Sequence, residues 1–316
     1  MYEQHFSKAK IWSVLWRVIL ASIGIVIVTS ILLVAFQYQY FDFLNMVGSL
    51  VLYFLIYKIT ISQIHKQNFS LLAITDRGNL DKKALYPILL LTVITAVCGS
   101  LFLYVVLRLA YFSQPLYYEL VLFFGFIPGL ADESATSSLY LLPIAVIAAP
   151  IVEELTFRGF LLNKWAAKYG NVKGIIFSSI VFMMIHLGSL LIPQLLLGLL
   201  CSLIYIKTKK IIYPIITHIL YNFLIIVPSL FSPNLSESEI LEMVYPSQST
   251  LDDFTLYTVV FVVLLVVLLI GLVRYGKGIR QEQAPYRYNL EKRHLADVSY
   301  ETIQQKDQHF DDFDDF

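Results

Sequence analysis

The chain has little charge, few cysteines and none of the common protease signatures, and each shortage excludes something. Only 15% of its 316 residues are charged, and the net charge is zero. No basic face suited to a polyanion emerges, so nucleic-acid binding is excluded. Its two cysteines, Cys98 and Cys201, sit inside apolar runs without C-x-x-C or metal-type spacing, which makes them packing residues. There is no H-E-x-x-H for a zinc protease, no G-x-G-D for an aspartyl type and no G-x-S-x-G for a serine nucleophile. No internal repeat is found. What is abundant is apolar surface: 58% of the residues are hydrophobic and the mean hydropathy is +0.70. A composition so far from that of soluble domains calls for a membrane as solvent.

A hydrocarbon core about 30 Å thick needs roughly 20 apolar residues of helix. Runs near that length fall at about 18–36, 43–60, 86–108, 138–160, 174–190, 194–206, 211–230 and 254–273. The expected fold class is therefore all-α, a polytopic transmembrane bundle of about eight spans. The first run follows Lys8, Lys10 and Arg17, exceeds a signal-peptide core and lacks a small-residue cleavage site, so it reads as a retained helix.

With eight spans and both termini cytoplasmic, the inner connections hold Lys58, Lys66, Arg77, Lys82 and Lys83, then Lys164, Lys168 and Lys173, then Lys207 to Lys210. Arg274, Lys277 and Arg280 follow the last span on that side, whereas the outer connections carry Arg108 and the acids Asp132, Glu133, Asp252 and Asp253. That asymmetry fits the positive-inside rule.

The expected organisation is three spans plus an interfacial segment over 1–137, a core over 138–230, an outer loop and last span over 231–280, and a polar, disordered cytosolic tail over 281–316. The apolar stretch between Pro115 and Pro128 is too short to cross and reads as an interfacial or re-entrant helix, and Gly125 to Gly129 forms a lone G-x-x-x-G.

Ionisable groups inside spans cost about 2.5–3.5 kcal/mol each at a helix centre and need a partner or a hydrated cavity. The fourth run carries Glu153, Glu154 and Arg158, the fifth His186, and the seventh His218 and Asn222. Glu154 and Arg158 are one turn apart and can pair, while Glu153 is turned about 100° away and left available. Gly170-Asn171 is a helix stop, and Glu154 and His186 each lie sixteen residues from Gly170. In a hairpin they meet at equal depth, roughly 24 Å along the helices. His218 and Asn222 share a face and reach the same layer. A salt bridge, a carbonyl-bonded histidine and interhelical glue are the bland readings of these groups; convergence of three spans on one depth favours chemistry. Glutamate to activate water, histidine to shuttle its proton and donors for an oxyanion suffice for amide hydrolysis.

These residues resemble a known family. Glu153-Glu154-Leu155-Thr156-Phe157-Arg158 is similar to its E-E-x-x-x-R motif, Phe182 to His186 to F-x-x-x-H, and His218 to Asn222 to H-x-x-x-N of the CPBP (Abi) family. That family unites type II CAAX prenyl endopeptidases with bacterial bacteriocin-processing and self-immunity proteins. The resemblance covers about 140–230. It implies that Glu153 activates water with His186, that His218 and Asn222 stabilise the oxyanion, and that Glu154 and Arg158, with Phe182, support the site. Glu153, His186 and His218 are also a feasible set for zinc or another divalent metal; a site without tightly bound metal is the reading adopted.

The expected function is an intramembrane endopeptidase acting on a membrane-associated peptide or protein, placed in a bacterial plasma membrane. A non-catalytic self-immunity or scaffold protein and a proton-coupled transporter are the alternatives. A water-filled cavity lined by the polar side chains is expected to open on the side of the basic loops, toward the cytosol.

Overall fold

A computed structural model describes residues 6–76, 78–123, 142–186, 190–230 and 237–294. Every described element is helical: α1 (Trp12–Ala35), α2 (Phe41–Lys66), α3 (Lys82–Ala110), α4 (Gln114–Phe123), α5 (142–169), α6 (Asn171–Met184), α7 (Leu191–Thr208), α8 (Ile212–Leu230), α9 (Glu237–Val244), α10 (Gln248–Tyr275) and α11 (285–294). Residues Leu71–Thr75 form one further turn, capped by the Ser70 hydroxyl, which accepts from Ala73 N at 3.2 Å.

Among the described residues, each of the eight segments expected to span contains helix. Five of them, α1, α2, α3, α7 and α10, are long and apolar enough to cross a membrane, and α6 and the apolar part of α8 are shorter. The expected re-entrant segment begins as α4, whose Tyr117 is buried; its remainder, with the G-x-x-x-G, lies outside the described residues.

The bundle has an inside and an outside of different chemistry. α5, α6, α7 and α8 pack together, with α2 against α5 on one side and α3 against α7 and α8 on the other. α1 leans on α2, and α10 on α3. Ile23, Val26, Ile31 and Val34 of α1 and Val259, Val262, Val263 and Val266 of α10 are each at least half exposed. Such an apolar exterior belongs in lipid.

α5 is wound unevenly, and its sequence says why. Turns widened to i→i+5 spacing at Ile144–Ala148 and Leu155–Leu162 flank the α-helical turn Ala149–Glu154. Ala149 N donates to Ile144 O, and the next residue, Pro150, has no N–H to offer Ala145 O. In the second wide turn the Asn163 side chain donates to the carbonyls of Arg158 (3.3 Å) and Gly159 (3.0 Å). Wide turns of this kind re-aim side chains and recur at functional sites.

One end of the bundle gathers the basic residues. Gly170, at φ 84°, ends α5 in a conformation that favours glycine and turns the chain into α6. Lys207 and Lys209, where α7 meets α8, pair with Glu282 at 3.2 and 3.0 Å. Phe6 stacks on Phe69 at 4.0 Å and contacts Tyr286 at 4.6 Å, so both described ends of the chain lie at this face.

Here the structure corrects part of the expected disordered tail, 281–316, of which 295–316 lie outside the described residues. Up to His294 the segment is ordered, and α11 docks on the basic face. Asn289 donates to Ala73 O (2.9 Å) and Lys209 O (2.7 Å), and Tyr286 N donates to Asn163 Oδ1 (3.0 Å). Asn171 donates to Ile279 O (2.8 Å) and Glu282 O (2.6 Å). The polar residues that suggested solvation are satisfying backbone carbonyls left at helix ends.

Candidate active site

Glu153 and Glu154 sit on adjacent positions of the α-helical turn of α5, and both are buried. Their surroundings differ completely. Glu154 has no exposure and is not among the residues lining the cavity that Glu153 faces; its Oε1 accepts from Arg158 Nη1 at 2.8 Å and faces His218 Nδ1 at 2.9 Å. Arg158, equally sealed, donates through Nη2 to Gly198 O at 3.0 Å and lies 4.6 Å from the centre of the Phe182 ring. A buried guanidinium is tolerable only with such partners. Glu154, expected among the catalytic groups, is thus enclosed and bonded to Arg158 and His218.

Glu153 points the other way. Its Oε1 accepts from the Tyr53 hydroxyl at 3.0 Å, and its Oε2 faces His186 Nε2 at 3.9 Å and His218 Nε2 at 3.8 Å. The sequence reading paired His186 with Glu154 by depth; it is the neighbouring carboxylate that His186 meets, while Glu154 binds the far side of His218.

Ring orientation follows from hydrogen bonding. His186 Nδ1 lies 2.8 Å from Phe182 O, which only accepts, so the proton of a neutral ring is on Nδ1. His218 Nδ1 faces the carboxylate that Arg158 also holds, which fixes the same tautomer. Both Nε2 atoms therefore turn lone pairs toward Glu153. Phe182 packs beneath both rings, 4.7 Å from His186 and 5.6 Å from His218, and this is what the aromatic of the second motif does.

Asn222 completes the group, though not as a free donor. Its Nδ2 donates to Ala145 O at 2.7 Å, the carbonyl that Pro150 leaves without a helical partner. This ties α8 to the first wide turn of α5.

Glu153, His186, His218, Asn222 and Tyr53 line one cavity of about 560 Å³, walled elsewhere by Gly99, Ser100, Leu103, Ala145, Ala149, Leu190, Pro193, Gln194, Tyr221, Ile225 and Ile226. Its position reverses an expectation. Ala145 is eight residues before Glu153 on α5, farther from the basic face, and Leu190 precedes the end of α7 remote from that face. On the basic side of Glu153, Phe157, Phe160, Leu161, Leu162 and Phe182 are buried together in one apolar cluster. The cavity lies on the side of Glu153 away from the basic loops, not toward them.

Two imidazoles and a carboxylate are donor types that zinc accepts. Around a tetrahedral zinc they stand about 3.4 Å apart, and here the separations from Glu153 are 3.8 and 3.9 Å. Among the described residues no group of three His, Cys, Asp or Glu side chains is drawn together closely enough to hold a metal ion. The site as built does not fit one, and no step below uses one.

Tyr53 was missed in the sequence. The trace of it is the packing of α2 on α5, fixed by the 2.9 Å contact of Thr60 and Thr156 hydroxyls; Tyr53 lies two turns before Thr60 on the same helix face.

An apolar-skirted bundle of this kind is an integral membrane protein, and its carboxylate, imidazole and amide groups converge on an internal cavity. Residues 135–224 match the family model described as type II CAAX prenyl endopeptidase, Rce1-like. That segment, which carries all three motifs, is of the CAAX/CPBP protease type, as the sequence resemblance implied. Neither a curated protein nor a solved structure matches the chain.

Proposed function

We propose that the chain is an intramembrane endopeptidase that hydrolyses a peptide bond of a membrane-associated protein or peptide with water activated by Glu153. The core is 138–230, the span count is eight, and the basic face, with both termini, is cytoplasmic in a bacterial plasma membrane. The lysine and arginine asymmetry between the two faces supports that orientation.

The observation that carries the reading is the gap between Glu153 Oε2 and the two Nε2 atoms, 3.9 and 3.8 Å, on the cavity wall. It is too wide for a direct hydrogen bond, while a water oxygen about 2.9 Å from both atoms of either pair sits to one side, in the cavity. Tyr53 occupies Oε1, so Oε2 is the basic atom presented to that water.

Glu153 takes a proton from the water as its oxygen attacks the carbonyl carbon, and the proton passes to the leaving nitrogen through the adjacent imidazole of His186. His218, its Nδ1 held by the Glu154 carboxylate, donates to the tetrahedral oxyanion once its Nε2 has taken up a proton. Asn222 Nδ2 keeps its second hydrogen for the same oxygen.

Glu153→Gln tests this. The isostere keeps shape and removes the base, so cleavage of the accumulating precursor, followed by comparative membrane proteomics, should fall about 10²–10⁴-fold. Unchanged cleavage overturns the proposal.

A further inference from the structure

Three observations bear on how a substrate reaches Glu153. The cavity extends from this residue away from the basic face, while Phe157, Phe160 and Phe182 close the other direction. The charges divide in the same sense: Lys207, Lys209, Arg274 and Lys277 lie with the sealed end, whereas the end of α3 beyond the cavity carries Arg108 and the start of α10 carries exposed Asp252 and Asp253. Among the described residues the cavity wall contains no lysine or arginine, and its polar groups outside the reacting cluster are amides and hydroxyls such as Gln194, Ser100 and Tyr221. No permanently charged cation among the described residues lines it to pair with a free terminal carboxylate.

We propose that Glu153 is loaded from the face opposite the basic one, the non-cytoplasmic face. Its substrate is an extended, mainly apolar segment presented from that side and cut within the chain, not a cytosolic carboxyl-terminal peptide. This rests on the endopeptidase reading above and adds the side of entry and the substrate class. A carboxyl-terminal tripeptide would bring an ionised group into a cavity that no described lysine or arginine lines, a costly transfer; an internal segment brings only amides that Gln194 and the Ser100 and Tyr221 hydroxyls can satisfy.

The test is cysteine accessibility in the full-length protein. Leu103→Cys on the cavity wall and Lys277→Cys on the basic face are probed with a membrane-impermeant maleimide, in intact cells and in inverted vesicles. The native Cys98 and Cys201 have no exposure and set the background. Leu103→Cys should be labelled in cells and lose that labelling in inverted vesicles, with Lys277→Cys the reverse. Labelling of both positions from one side, or of Leu103→Cys from the cytoplasmic side alone, overturns the proposal. If Leu103→Cys does not accumulate, Ile225→Cys on the same wall replaces it. Labelling needs no turnover, so an inactive protein still reports the side of entry, and the Glu153→Gln experiment decides hydrolysis separately.

Discussion

Tyr53 on α2 donates its hydroxyl proton to Oε1 of Glu153 on α5 across 3.0 Å, which leaves the other carboxylate oxygen as the one facing the two histidines. The carboxylate of a base that must hold a water in one place gains from having its rotation stopped. Tyr53→Phe keeps the ring and deletes the donor. A hydrogen bond to a charged group is worth about 1.5–3 kcal/mol, so kcat should fall about 10- to 100-fold, with KM little changed. A purified-enzyme peptide cleavage assay measures the split; an unaltered kcat removes Tyr53 from the site.

Arg158 and Glu154 form a sealed pair, so removing either strands a charge. Arg158→Ala should destabilise the solubilised protein by about 3–5 kcal/mol, read as a lower thermal unfolding midpoint in detergent. Arg158→Met together with Glu154→Gln should recover much of that stability without restoring activity, because His218 Nδ1 would no longer face a carboxylate. Recovery of full activity in the double variant would contradict the positioning role given to Glu154.

The spacing of Glu153, His186 and His218 leads to a second kinetic expectation. Activity of the purified protein should survive dialysis against a strong chelator, and added zinc should not raise it. Loss on chelation with return on metal addition would mean that the three side chains close up around an ion.

Glu282 gives a pH dependence outside the membrane-spanning segments. Its burial works against ionisation, yet hydrogen bonds from Lys209 and Lys207, and then their charge, hold its carboxyl below the usual carboxylate range. Because the folded value is depressed, the stabilisation is complete above the unfolded value of about 4.3. It disappears as pH falls through the lower folded value. Limited proteolysis after Tyr275 should therefore accelerate below about pH 4, and Glu282→Gln should bring the same susceptibility at neutral pH.

Much of the site was legible because it obeys helix periodicity. Glu154 and Arg158 pair because they are one turn apart, and counting residues out from Gly170 brought His186 to the level of the two glutamates. Tyr53 was not legible: it is one of 21 tyrosines, in an apolar run, and only the packing of α2 on α5 distinguishes it. The direction of the cavity was equally hidden. Sequence spacing gives depth along a helix, but which end of a bundle is filled depends on how Phe157, Phe160 and Phe182 interlock. The docking of α11 escaped for a related reason, since Asn289 and Tyr286 are polar enough to look solvated until the carbonyls that Asn289 satisfies and the Ser70 N–H that the Tyr286 hydroxyl accepts are known.

The wide first turn of α5 carries a last consequence. Restoring an amide hydrogen at position 150, as Pro150→Ala would, gives the Ala145 carbonyl a suitor within its own helix and sets Asn222 adrift. Which way that carboxamide swings is then decided by a pyrrolidine ring that never meets a reactant. In the proposed endopeptidase, tuning is written partly in a residue outside the cavity wall.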